Sequence, residues 1–388
     1  MKRISINKIL LITIIFGIPN FFIVYDQTGL YNYIDGLDFN IVSRLFLFFS
    51  AFFYVLIKLI FNPSIDLKII KSLKIPIIFY LSFLALIPFG NKLSIQESLY
   101  RIFEWIIFFM ILYYYMYNRN KKFLIENYLS ILTLLSYLLI IVIFFGLIFF
   151  PDLIYPERLG GSVIGPNTLG VISSILFFHN FIKKRYILSF LFVVFIFLSQ
   201  SRGALICFLI SGFYYILSRP GKAKYFTSII FIIVTFILSS SISVLLLRNQ
   251  NIENIFTFSE RYYVFLSSIE MIKSNYIFGT GFVTGTTQIA DYMSSLGIEH
   301  WQNYHSHNEF LQAFSTGGFV QFILCIYIFK VIFQNSKKIF KNIDNSFLII
   351  NFFHLIYFSI SMTTISYVLS PIACLTWLTF IMFQSNDN

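Results

Sequence analysis

Three observations predict an all-α, polytopic integral membrane protein: a composition 58% hydrophobic and only 12% charged, twelve separate apolar runs, and basic residues that alternate between successive loops. Soluble domains carry about 45–50% apolar and about 25% charged residues, so a mean hydropathy of +0.80 excludes that class. Spans of about 20 residues each use up the 388-residue length. The expectation is a single membrane domain over 1–388, with about 12 transmembrane helices and one long external loop containing an interfacial amphipathic helix.

In chain order the apolar runs fall at about 9–25, 41–61, 75–90, 102–117, 129–150, 163–181, 186–199, 203–217, 225–247, 307–333, 347–361 and 364–383. The first lacks a small-residue cleavage site and reads as a retained span. The runs at 186–199 and 203–217 are short for a bilayer of about 30 Å and are joined only by Gln200-Ser201-Arg202. With the N-terminus inside, 20 of the 28 basic residues fall in inside segments and 8 outside, which sets both termini in the cytoplasm. The net charge of +11 is therefore topological and calls for no nucleic acid. Cys207, Cys325 and Cys374 each stand alone in an apolar run, so neither a disulfide framework nor a metal spacing is visible.

The same partition separates the two cations. Inside, 16 of the 20 are Lys; outside, six of eight are Arg, namely Arg44, Arg101, Arg158, Arg202, Arg248 and Arg261. Orientation is served equally by either residue, whereas the planar guanidinium grips phosphate oxygens in pairs. An outward site for phosphate or pyrophosphate is one reading; snorkelling at helix ends, for Arg44 and Arg101 especially, is the other. The loop Pro151 to Ser162 carries Arg158 and leads into Gly165-Pro166-Asn167, a break early in the sixth run. That break reads either as a cavity wall or as a simple kink.

The one long loop covers 248–306. Loops beyond about 12–15 residues are usually functional or disordered, and Arg261 to Ile277 has helical periodicity, with Phe265, Ile269 and Ile272 on one face and Ser267, Glu270 and Ser274 turned elsewhere. Thr257-Phe258-Ser259-Glu260 fits a capping box ahead of it, placing Arg261 in the first turn of a helix lying on the outer leaflet. Gly279-Thr280-Gly281 follows, a turn whose amides can approach a ligand. The loop closes on Tyr304-His305-Ser306-His307-Asn308-Glu309, where Ser306-x-x-Glu309 matches a capping box before the tenth run. Glu309 is then expected to bond the Ser306 amide, and His307 to be the first helical residue. The positive end of a helix disfavours imidazolium, so His307 is expected to stay neutral and able to accept a proton. The alternative is an interfacial histidine with a hydrogen-bonding role only. His305 and His307 lack the i, i+4 spacing and third ligand of a zinc site, so no metal and no cofactor are expected.

The run His307-Asn308, nine residues, then Gly318 resembles the signature of the O-antigen ligase and polymerase superfamily. The resemblance extends to Ser201-Arg202-Gly203-Ala204, to Arg261 followed by Glu270-Met271-Ile272, and to Gly279-Thr280-Gly281-Phe282, over roughly residues 160–330. It departs at Gln321, where the family often has a second glycine. The resemblance implies an inverting, metal-independent glycosyl transfer at the periplasmic face of the bacterial inner membrane, from a glycan on undecaprenyl pyrophosphate. Arg202 and Arg261 would hold the departing pyrophosphate, and His307 would position or deprotonate the acceptor hydroxyl. Arg158, Asn167, Asn308, His305, Tyr304 and Arg101 are the expected substrate-binding residues. Polymerase, with donor and acceptor both lipid-linked and a chain-length regulator as a further partner, is the favoured activity. Transfer to lipid A-core is the alternative, and a lipid-linked oligosaccharide flippase a third, disfavoured by the lack of internal repeats.

Overall fold

The computed structural model describes residues 39–61, 67–84, 92–117, 121–149, 158–160, 165–217, 261–281, 284–296, 306, 308–336 and short pieces between 349 and 381. Among the described residues the regular elements are all helices: α1 Phe39–Phe61, α2 Leu67–Leu84, α3 Lys92–Met116, α4 Lys121–Phe149, α5 Pro166–Ile182, α6 Tyr186–Leu198, α7 Arg202–Leu217, α8 Arg261–Ser274, α9 Thr284–Ser295 and α10 Glu309–Ser336. By length and composition, Lys122–Ile148 of α4 and Glu309–Gln334 of α10 can each cross a membrane. The expected runs at 9–25 and 225–247, and most of those at 347–361 and 364–383, lie outside the described residues. Large apolar side chains stand exposed along the helices, such as Phe53, Ile148, Ile187 and Phe190, as they do where lipid is the solvent.

The short pair at 186–199 and 203–217 forms two separate helices, with the break at Ser199-Gln200-Ser201 and Gln200 at a positive φ of 49°. Gly165-Pro166 proves to be the start of α5: Gly165 caps it at φ 74° and Pro166 takes the first position, where its missing N–H costs nothing.

The chain divides into two compact units. The first comprises 1–77, 103–205 and 369–388. In it α5 packs against α4 and α6. Small residues bring α5 close to the start of α7: a Cβ on Gly170 would lie 2.8 Å from Ser199 Oγ and 2.8 Å from Ser201 Cβ. At the opposite end of α5, hydrogen bonds tie it to α4, with Asn180 Nδ2 donating to Ser136 Oγ at 2.7 Å and His179 Nε2 lying 2.8 Å from Thr133 Oγ1.

The second unit comprises 78–102 and 206–368. Its centre is a helical hairpin, α8 and α9, packed along α10. Val264 and Met271 of α8 meet Ile289 and Met293 of α9. The face carrying Ile269, 40% exposed, points away, while Ser267 and Ser268 turn into the protein. The contacts with α10 are in register. Ser268 meets Ser306 just before α10 begins, and the turn after α8 meets residues 315–319, so α8 runs alongside the first part of α10 in the same direction.

That turn repairs a break in α10. Gly318 is non-helical, at φ 66° and ψ −162°. The Phe319 amide therefore leaves the Ser315 carbonyl and donates instead to the carbonyls of Tyr276, at 3.0 Å, and Ile277, at 3.2 Å. The vacated carbonyls are taken by the hairpin turn: Thr280 N–H donates to Ser315 O at 2.9 Å and Gly281 N–H to Thr316 O at 3.0 Å. Thr280 Oγ1 adds a third bond, to Ser315 O at 3.1 Å. Backbone approach this close leaves no room for a Cβ on Gly318, which would collide with the Ile277 carbonyl.

Candidate active site

In the first unit three of the expected residues gather at one end of the bundle. Arg202 is the first residue of α7, with the Ser201 carbonyl accepting from the Leu205 amide. Three residues earlier, the Ser199 carbonyl accepts from Arg158 Nε at 2.9 Å, and Arg158 Nη2 donates to Asn167 Oδ1 at 3.1 Å. The neighbouring Leu159 amide binds the Leu198 carbonyl at 2.8 Å. Arg158 therefore closes the C-terminus of α6, where a cation is favoured, and reaches across to the first turn of α5. Both of these acceptors are neutral oxygens, and together they orient the guanidinium.

In the second unit Arg261 opens α8 as expected, and Ser268 stands two turns on, at the i+7 position. Ser268 Oγ donates to the Val264 carbonyl at 2.8 Å. Its single proton is thereby used, so in the 2.8 Å contact between the two hydroxyls Ser306 donates to Ser268. A hydrogen-bonded chain thus runs from the residue before His307 to the helix that begins with Arg261.

The capping box expected at Ser306 and Glu309 is not formed. The cap is Asn308, whose Oδ1 accepts from the Leu311 amide at 3.1 Å, while its carbonyl takes the Gln312 amide at 2.9 Å. The helix starts at Glu309, two residues later than His307. The Ser306 amide goes to Gln312 Oε1 at 2.8 Å, not to Glu309. Asn is as strong a cap as Ser, and an amide one turn further on reaches back as well as a carboxylate does. Glu309 remains buried, at the amide-rich end of α10. The amides of Thr280 and Gly281, expected to approach a ligand, are spent on α10.

Tyr304, His305 and His307 lie outside the described residues. Arg101 lies in α3 and Arg261 in α8, with only their backbone described. Among the described residues no three of His, Cys, Asp and Glu cluster as metal ligands. Sequence reasoning missed Ser268 and Gln312. The signal available for Ser268 was a pair of serines, Ser267-Ser268, at positions that otherwise continue the apolar face of Val264 and Met271.

Residues 187–326 match the family described as O-antigen ligase, whose members are bacterial membrane proteins with glycosyltransferase-like activity on lipid-linked oligosaccharides. Comparison with curated proteins gives no match. The matched stretch takes in Arg202, Arg261, the Ser268–Ser306 contact and the His307-Asn308 step, and over those residues it supports the similarity to the O-antigen ligase/polymerase superfamily.

Proposed function

We propose that the protein is an inverting, metal-independent glycosyltransferase that polymerises O-antigen repeat units at the periplasmic face of the inner membrane. Its donor is a glycan on undecaprenyl pyrophosphate. The observation that carries this reading is the hydrogen-bonded chain from Ser306 to Val264, because it couples the backbone next to His307 to the helix opened by Arg261.

The chemistry needs three things. The acceptor hydroxyl attacks the anomeric carbon on the face opposite the pyrophosphate, forming the new C–O bond as the bond to the pyrophosphate oxygen breaks. His307, neutral before the step, takes the hydroxyl proton. Arg202 and Arg261 stabilise the charge that develops on the departing pyrophosphate, the role a metal ion fills in other phosphate-leaving reactions. Arg158 and Asn167, bonded to one another beside the start of α7, line the donor side. Asn308, by capping α10, fixes the backbone that follows His307.

The matched family is described as O-antigen ligase, which favours transfer to lipid A-core as the second reading. Complementation separates the two. In a strain lacking the gene, polymerase function predicts lipopolysaccharide carrying a single repeat unit; ligase function predicts bare core with lipid-linked polymer accumulating. Intact ladders in that strain would reject both. His307→Ala and Arg261→Ala are each expected to abolish long-chain polysaccharide while the protein remains in the membrane, and wild-type chain length in either variant would remove that residue from the site.

A further inference from the structure

We propose that the α8–α9 hairpin is a re-entrant membrane element whose tip, Tyr276-Ile277-Phe278, is docked into the acyl chains of the bilayer. This inference does not depend on the transfer chemistry. It replaces the flat, surface-lying helix expected from the sequence with one that descends along α10.

Depth follows from the register. Ser268 meets Ser306 at the start of α10, and the Phe319 amide meets Tyr276 and Ile277. The helical stretch before the break, Glu309 to Gly317, spans about 12 Å at 1.5 Å per residue. That places the contact about two turns below the start of a segment, Glu309–Gln334, long and apolar enough to cross a membrane. The tip therefore lies level with the interior of that segment and not at its outer end.

Three features fit that depth. The side chains presented outward are apolar and consecutive: Tyr276 is 59%, Ile277 47% and Phe278 60% exposed, an arrangement that costs free energy in water and none among acyl chains. Non-helical backbone inside a membrane is tolerated where protein satisfies it, and part of this turn is satisfied in that way. The amides of Gly279, Thr280 and Gly281 and the carbonyls of Tyr276 and Ile277 are all bonded to protein. The exposed charges nearest the tip, Glu270 and Lys273, neutralise one another through a 2.7 Å ion pair, and the Lys stem can reach toward the headgroups from one turn above.

The test is nitroxide accessibility in reconstituted bilayers, on the full chain with Cys207, Cys325 and Cys374 replaced by Ser. A label at Phe278→Cys is compared with one at Leu138→Cys, exposed on the middle of α4, and one at Ser295→Cys, exposed at the far end of α9. The expected result is that Phe278 follows Leu138, relaxed strongly by oxygen and weakly by a water-soluble nickel chelate, while Ser295 shows the reverse. A Phe278 label relaxed by the chelate as strongly as Ser295 would overturn the proposal, because the tip would then be in water. A label shielded from both reagents would also overturn it, in favour of a protein partner. Should Phe278→Cys fail to insert, Tyr276→Cys carries the same comparison with the same outcomes.

Discussion

Asn308 has a structural role that can be separated from any contact with substrate. Its Oδ1 holds the Leu311 amide, and loss of such a cap costs about 1 kcal/mol. Asn308→Ala should lower thermal stability by about that much, measured in detergent, whereas Asn308→Asp keeps the cap and should not. If Asn308→Asp is stable yet inactive, Asn308 also serves the chemistry. The identity of this cap was hidden from the sequence because Ser306 and Asn308 are both good caps two residues apart, and only the placement of the Gln312 amide decides between them. Gln321 is a second case. Its buried carboxamide donates to Ser82 Oγ at 2.9 Å and to the Phe79 carbonyl, pinning α10 to α2. Neither partner is near in sequence, so no motif announces the contact. Arg158 was legible as an outward cation, but its acceptors, a carbonyl 41 residues away and Asn167, required the fold.

At the scale of elements, apolar periodicity located α6, α7 and α8 to within a residue or two of their starts, because each begins at a boundary marked by charge or by a cap. The break in α10 escaped, since Phe310 to Phe333 reads as one apolar run and two glycines in a long helix are common in membranes. Its repair by a distant turn is written only in backbone hydrogen bonds. Two substitutions at Thr280 test the repair. Thr280→Ala removes the hydroxyl bond and should cost about 1 kcal/mol. Thr280→Pro removes the amide donor as well, leaving the Ser315 carbonyl bare, and should cost several kcal/mol; detergent-solubilised yield and melting temperature report both. Gly318→Ala, strained at φ 66° and blocked by the Ile277 carbonyl, belongs with the proline in severity.

For the whole molecule, composition and the loop charges carried the class, because burying backbone in lipid leaves few choices beyond helices. The proposed orientation has a direct test. A membrane-impermeant maleimide should label Ser295→Cys in cells whose outer membrane alone is opened. Lys184→Cys should react only once the inner membrane is breached. The reverse pattern would invert the molecule. What composition could not carry is the grouping of residues into sites, which depends on which helix ends share one end of a bundle. Arg158 and Asn167 are bonded at such an end in the first unit, where α7 begins with Arg202, and the helix opened by Arg261 is tied to Ser306 in the second.

The pairing between the hairpin turn and α10 joins main chain to main chain, so it reads length and is nearly blind to side-chain identity. Many substitutions at 276–278 leave it intact provided they stay apolar. Removal of one residue between Ser274 and Thr280 would carry the Thr280 and Gly281 amides out of step with Ser315 and Thr316. Over evolutionary time this segment should therefore drift freely in sequence while refusing insertions and deletions, a pattern opposite to that of an ordinary surface loop.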